Sequence, residues 1–482
     1  MALVLGVDSS TQATKLELRD ATTGRLEASA RAPHPPVRPP RSEQDPAAWW
    51  SALDRAAAEL GRPRVAALAI GGQQHGMVVL DAEGSVVRPA KLWNDTESAP
   101  DAIALVERLG AAAWSQAVGL VPLASYTITK LAWLRRCEPS AWSRLARVVL
   151  PHDWLNLRCT GSAATDRGDA SGTGYWSPAA GEWRTDLLAL IDDGRDWARC
   201  LPEVKAPSEP VGPLVGEARA LFGPALVGPG TGDNMAAALG LGLAPGDVAV
   251  SVGTSGTVYA VSDTPVADPT GAVAGFADAT GRFLPLVCTL NAAKVLDTVA
   301  TLLGVDHQEL DDLALRAPAG AHGLTLLPYL DGERTPNRPD ATGTLAGLRT
   351  SHERADLARA AVEGVVHGLL DGIDALEAQG IALDGRFVLT GGGARSRAVR
   401  RVLADLSGRA VEVHADAEMV ARGAAVQAAA ILAGGHPSEV ASAWRPDPDA
   451  VAEPHSDIDR EALRAAYHRL RDQSPGSVAA GG

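Results

Sequence analysis

Leu3-Val4-Leu5-Gly6-Val7-Asp8-Ser9-Ser10-Thr11-Gln12-Ala13-Thr14-Lys15-Leu16 reads as an apolar strand, a polar turn and a second strand that continues through Leu18. Asp8 closes the first strand, and the hydroxyls of Ser9, Ser10 and Thr11 follow it. A carboxylate at the end of an apolar strand is costly unless it is solvated, paired or near a metal. Two roles suit it. Asp8 can cap the turn's backbone N–H groups, or it can orient the water shell of a nucleotide-bound Mg²⁺. The same pattern returns about half a chain later, where apolar strands over 248–252 and 258–261 flank Gly253-Thr254-Ser255-Gly256-Thr257. A duplicated, two-lobed chain would produce that spacing, and so would chance recurrence of a common turn. A third strand, from Phe387, runs into Thr390-Gly391-Gly392-Gly393-Ala394-Arg395-Ser396.

Backbone N–H groups exposed in such turns, with hydroxyls beside them, can cradle phosphate oxygens. Each turn alone is an ordinary tight turn; three in one chain favour nucleotide binding. No P-loop accompanies them, since none of the five lysines follows a glycine. The N-terminal strand is not followed by G-x-G-x-x-G, which disfavours a dinucleotide fold. Asp233 lies in Gly228-Pro229-Gly230-Thr231-Gly232-Asp233-Asn234, ahead of a small-residue helix expected from 235 to about 243. It can serve as a helix N-cap, or as a base that takes the proton of a substrate hydroxyl during phosphoryl transfer. Gln73-Gln74-His75-Gly76 follows a short apolar strand over 65–70, and α/β sheets hold ligands at the carboxyl ends of their strands. Its amides and imidazole suit sugar hydroxyls; a loop His bonded to backbone is the plainer alternative. Trp93-Asn94-Asp95 offers an indole face and polar groups to a sugar, or else a Trp packed beneath a turn.

The chain of 482 residues exceeds what one core usually supports, so two domains are expected. A hydrophobic fraction of 46% and a charged fraction of 21% are those of a globular protein. The net charge of -14 disfavours nucleic acid and anionic membrane as partners. The four cysteines form no C-x-x-C pair and are expected to be reduced thiols. The start has no basic segment and Asp8 interrupts its apolar run, so no signal peptide is expected. Helices are expected over 49–60, 397–406 and 421–433, a proline-rich surface loop over 32–46, and a mobile tail over 474–482.

From Leu3 to about Ala430, the order and spacing of these segments resemble the FGGY family of carbohydrate kinases. Gly6-Val7-Asp8-Ser9-Ser10-Thr11-Gln12 is similar to the family's first phosphate hairpin, and Ser251-Val252-Gly253-Thr254-Ser255-Gly256 to its second. Gly232-Asp233-Asn234 falls where the family keeps its catalytic Asp, and Leu389-Thr390-Gly391-Gly392-Gly393-Ala394-Arg395-Ser396 resembles its adenosine-binding turn. Leu327-Pro328-Tyr329-Leu330-Asp331-Gly332-Glu333-Arg334-Thr335-Pro336 is also characteristic. Ser42-Glu43-Gln44-Asp45-Pro46, Gly71-Gly72-Gln73-Gln74-His75-Gly76, Leu92-Trp93-Asn94-Asp95, Leu150-Pro151-His152-Asp153-Trp154 and Thr165-Asp166 look like the subgroup that acts on D-xylulose. Two positions depart from the pattern: Ser10 stands where many members have Gly, and Gln74 where some of the subgroup have Met.

The resemblance implies an α/β fold of two actin-like (ribonuclease H-like) lobes with an interlobe cleft. The boundary would fall near Pro245-Gly246, giving a sugar-binding lobe over 1–245 that carries the base and an ATP-binding lobe over 246–482. The implied reaction is transfer from MgATP to the 5-hydroxyl of D-xylulose, in the cytoplasm, within pentose catabolism. Asp233 would be the base; at an ordinary pKa of ~3.9 it would accept the proton late. Asp8 would organise Mg²⁺, with Asp233 as the second carboxylate on the metal side. Ser10, Thr11, Gln12, Lys15, Gly253, Thr254 and Ser255 would hold phosphates, and Gly391, Gly392, Gly393 and Ser396 the adenosine. Gln74, His75, Trp93, Asn94, Asp233 and Asn234 would hold the sugar. Sugar and ATP would be the partners, without nucleic acid or membrane, in an enzyme that can pair as a homodimer. Rival readings are a kinase for ribulose, gluconate or glycerol, an actin-like ATPase without a sugar, and a regulator on an inactive kinase fold. The joint presence of Asp8 and Asp233 argues against the last.

Overall fold

Strand Leu3–Ser9 has almost no polar face, so it is stable where both faces are covered. In the computed structural model, which describes residues 2–415 and 418–473, it lies inside a sheet. The tail over 474–482 lies outside the described residues. On one side the strand pairs antiparallel with Ala13–Asp20, which pairs in turn with Leu26–Pro33. On the other side it runs parallel to Ala67–Gly72, which is followed by Leu226–Val227, parallel, and Gly212–Pro213, antiparallel. A two-residue strand, Thr231–Gly232, pairs with the carboxyl end of Ala67–Gly72.

A second sheet repeats this plan. Val248–Val252 pairs antiparallel with Gly256–Ala260, which pairs with the end of Phe283–Thr289. On its other side come Phe387–Thr390 and Val411–His414, both parallel, and Ala450–Ala452, antiparallel. Two hairpins with the same neighbours in the same directions are what duplication predicts.

Each sheet anchors a compact unit. Among the described residues, the first unit comprises 2–243, Asp263–Pro285 and Glu418–Pro446; the second takes Ala244–Ser262, 286–415 and 447–473. Neither unit is one contiguous segment of the chain. Helix Met419–Ala433, late in the chain, packs on Leu3–Ser9 and Ala67–Gly72 of the first sheet. The reason is steric. A Cβ on Gly6 would lie 1.8 Å from the Ala421 carbonyl oxygen, so the helix backbone can rest directly on the strand. The other face of this sheet packs on helix Pro46–Glu59, capped by Asp45, whose Trp49, Leu53 and Ala56 join Leu5, Val7 and Ile70 in the core. The segment over 32–46 is largely exposed but anchored. Gln44 Nε2 donates to the Thr11 and Pro35 carbonyls, and Gln44 Oε1 accepts from Trp49 Nε1.

Helix Asp233–Gly240 starts directly after its strand. Gly232 is the N-cap and Asp233 the first helical residue, so Asp233 does not cap the helix. The four cysteines are free thiols, two of them buried.

Candidate active site

Three strands of the first unit end side by side. Asp8 pairs with Gly71, Gly71 with Thr231, and Gly72 with Gly232. The register therefore brings Asp8, the run Gln73-Gln74-His75 and Asp233 to one sheet edge, at the carboxyl ends of parallel strands. Asp8 is buried. Its Oδ2 lies 3.3 Å from Lys15 Nζ, which also binds Glu418 Oε2 at 2.7 Å. Its Oδ1 has no hydrogen-bond partner. Burial pushes the Asp8 carboxyl up to about 6 despite Lys15. Asp233 Oδ1 accepts from the backbone N and the side-chain Nδ2 of Asn234, at 2.8 and 2.9 Å. Loss of water and the charge of Asp8 push its carboxyl up to about 7. Asp233 is thus not at an ordinary carboxylate pKa. It is poised near neutrality, where a general base is most effective.

The chain of contacts continues outward. Asn234 Nδ2 also donates to Gln74 Oε1 at 2.7 Å. Gln73 Nε2, Gln74 Nε2 and Asn94 Oδ1 are buried with no hydrogen-bond partner. Unpaired buried polar atoms are expensive, and a polyhydroxylated ligand would satisfy them. Thr11 Oγ1 donates to Gln73 Oε1 at 3.0 Å and accepts from Trp93 Nε1 at 2.9 Å. Its hydroxyl thus ties the hairpin to both sugar-type segments. Ser10 Oγ closes its own turn on Ala13, and Gln12 stands exposed. Among the first-hairpin residues, Ser10, Thr11 and Lys15 therefore already have side-chain partners in this unit.

His75 is held at φ +60°, a region non-glycine residues seldom occupy. Its backbone N donates to Asp169 Oδ1 at 3.2 Å, and its carbonyl accepts from Thr127 Oγ1. Its ring stacks on Phe276 and meets the edge of Tyr126, each with centroids 5.3 Å away. A Cβ on Gly172 would fall 1.8 Å from the ring, so only glycine fits there. Behind Asp169 lies His152, wholly buried at the start of helix Pro151–Thr160, with Nδ1 2.9 Å from Asp169 Oδ2. Its Nε2 is 3.1 Å from Asp153 Oδ1 and 3.5 Å from Asp166 Oδ1. Burial alone would lower the imidazole, but Asp153, Asp169 and Asp166 together push it up to about 10. No motif singled out Asp169, Tyr126 or Phe276. The carboxylates clustered over 166–169 were a usable signal for Asp169; a lone aromatic in the apolar strand Ala274–Ala277 carries none.

The second unit carries its own site. In the turn after Val248–Val252, Gly253 N donates to the Ser255 carbonyl. The carbonyls of Gly253 and Thr254 accept from the backbone N–H groups of Ala293 and Lys294, at the start of helix Ala293–Leu303. Gly391, at φ +84°, turns the chain out of strand Phe387–Thr390. Gly392, Gly393 and Ser396 line a cavity of about 550 Å³, together with Asp297, His307 and Asp311. Ser396 caps helix Arg397–Ser407 and donates to Asp311 Oδ1 at 2.5 Å. Asp297, His307 and Asp311 belong to helices that no motif marked.

Models for the N-terminal and C-terminal domains of the FGGY family of carbohydrate kinases match residues 3–240 and 248–432. This chain belongs to that family. The kinase is 47% identical to a xylulose kinase of Streptomyces rubiginosus over 98% of its own length and 97% of the relative's. It is 46% identical to a xylulose kinase of Streptomyces coelicolor over 95% of each chain. The crystal structure of xylulose kinase from Bifidobacterium adolescentis superposes with a TM-score of 0.87 at 42% identity, covering 98% of this chain and 99% of that one. The duplicated hairpin sheets are thus those of the actin-like two-domain α/β fold.

Among the described residues of the kinase, two other acidic groups cluster closely enough to hold a metal: Asp371, Asp374 and His468, and Glu43, Asp95 and Glu97. Both already surround cations of the protein. Arg464 and Arg471 reach Asp371, and the buried Lys91 Nζ lies within 3.1 Å of all three carboxylates of the other group. No described helix is long and apolar enough to cross a membrane.

Proposed function

We propose that this kinase transfers the terminal phosphoryl group of MgATP to the 5-hydroxyl of D-xylulose, giving ADP and D-xylulose 5-phosphate, as a cytoplasmic enzyme of pentose catabolism. The substrate is carried over from the xylulose kinases it resembles over nearly its whole length. The observation that carries the mechanism is Asp233. It is a carboxylate raised to about 7 and linked through Asn234 to Gln74, whose buried Nε2 has no hydrogen-bond partner. Asp233 takes the hydroxyl proton as the new P–O bond forms and the bond to ADP breaks. Gln74, His75, Trp93, Asn94 and Asn234 hold the sugar. Gly253, Thr254 and Ser255, with the hairpin bearing Ser10, Thr11, Gln12 and Lys15, hold phosphates; Gly391, Gly392, Gly393 and Ser396 hold the adenosine.

Mg²⁺ fits Asp8, whose buried Oδ1 has no partner. Bound there with the nucleotide, it would neutralise phosphate charge. Asp233 is the second carboxylate on that side.

ADP release from MgATP, measured without sugar and with D-xylulose, D-ribulose, L-ribulose, glycerol and gluconate in turn, tests the reading. Stimulation by D-xylulose, with a phosphorylated pentose as product, supports it. Stimulation by another compound alone overturns the sugar and leaves the kinase. Turnover indifferent to every compound overturns the proposal.

A further inference from the structure

His75 is over-determined. Its backbone is strained, its ring is clamped by two aromatics and abutted by Gly172, and its main-chain N–H is tied to a carboxylate. That carboxylate is shared. Asp169 Oδ1 faces His75, at 3.2 Å from its N and 3.8 Å from its Nδ1, while Oδ2 bonds the buried His152. A fully buried histidine among Asp153, Asp166 and Asp169 is a costly arrangement. None of its hydrogen bonds reaches Asp233, which the charge of Asp169 raises only as a lesser contribution after burial and Asp8. Asp166 anchors the same group to the strand that leads into Asp233, since it accepts from Thr231 Oγ1 at 2.7 Å and caps helix Arg167–Ser171.

We propose that Asp169 and His152 are positioning residues for the acceptor sugar: the buried His152 ring fixes the Asp169 carboxylate, and Asp169 fixes His75 where it meets the substrate. The inference rests on the reading that places His75 at the sugar.

The test uses the full-length enzyme, with D-xylulose and MgATP varied in turn. His75→Asn should raise the sugar KM by about tenfold or more. Asp169→Asn and His152→Gln should raise it similarly, with the MgATP KM within about twofold of wild type. His152→Asn is the rescue. Its amide nitrogen falls near the Nδ1 position and can restore the bond to Asp169, so its sugar KM should stay within about threefold of wild type. Gln places its amide at the Nε2 position instead, and a residue that merely filled space would not distinguish the two. Combining His75→Asn with Asp169→Asn should add little to either alone, because both act on one contact. Additive losses, or equal damage from His152→Asn and His152→Gln, would overturn the proposal. If Asp169→Asn fails to fold, judged by circular dichroism and melting, the His152 pair decides. Unchanged sugar KM in His75→Asn would remove His75 from the sugar and overturn the reading beneath the inference as well. Impaired His75→Asn with unimpaired Asp169 and His152 variants would overturn the inference alone.

Discussion

The two hairpins share a topology but not a chemistry. In the first unit, the strand before the turn ends in Asp8, a buried carboxylate raised to about 6, with Lys15 opposite it. In the second, the equivalent strand ends in Val252-Gly253, and the turn bonds through its backbone to the start of a helix. The first hairpin carries side chains that bear charge and protons; the turn of the second is built from main chain and small residues. Duplication supplied the frame, and the residues at the strand ends decided what each copy does. A carboxylate is useful where charge must be handled. A glycine is useful where phosphate oxygens must come close to backbone N–H groups.

If that division holds, damage to the carboxylates Asp8 and Asp233 of the first site should fall on kcat and damage to the second turn on nucleotide affinity. The largest effect is expected from Asp233→Ala. Its kcat should fall by about 10³-fold or more while calorimetry shows sugar binding retained; a nearly active variant would remove Asp233 as the base. Next comes Asp8→Asn, for which kcat should drop about 100-fold and the Mg²⁺ concentration for half-maximal rate should rise. Gly253→Ala should do the opposite. Its new Cβ would meet little of the protein, only the Ser255 oxygen at 3.4 Å, so the fold survives. The MgATP KM should rise by roughly tenfold with kcat changed far less. Equal kcat losses from Asp8→Asn and Gly253→Ala would break the comparison.

The pH profile sharpens it. A base raised to about 7 must lose its proton to act. Hence kcat/KM for the sugar should fall about tenfold per unit as pH drops below about 7, a limb absent from Asp233→Asn. The smallest effect is on stability. A folded carboxyl raised above its unfolded value disfavours folding once ionised. The penalty is complete above the folded pKa and disappears as pH falls toward the unfolded one. Asp233→Asn should therefore raise the melting temperature by about 1–2 °C at pH 8 and by less near pH 5.

Much of the site was legible. Asp8 lies at the end of one apolar strand, Gln74 and His75 follow another, and Asp233 follows the short strand Thr231–Gly232; in the first sheet these strands end together. Local patterning also predicted a helix over 49–60, which starts three residues earlier at Pro46, and a strand from Phe387 before a glycine turn. The packing of the late helix was not legible. Helix Met419–Ala433 belongs to the first sheet because of a close fit at Gly6, and no local pattern announces a partner more than 400 residues away. The partners of Ser10 and Lys15 were not legible, because sequence shows only side-chain types: in the fold one closes its turn and the other binds two carboxylates.

By itself, the sequence determined the strands, the turns and the chemical groups at their ends, because alternation, glycine placement and hydroxyl runs act over a few residues. It also determined family membership, through the order of those turns. Only the tertiary structure decided the proton affinities. Asp233 is raised by burial and by Asp8, and His152 by carboxylates at 153, 166 and 169. Electrostatic energy depends on distance and on excluded water, and both are set by residues far apart in the chain.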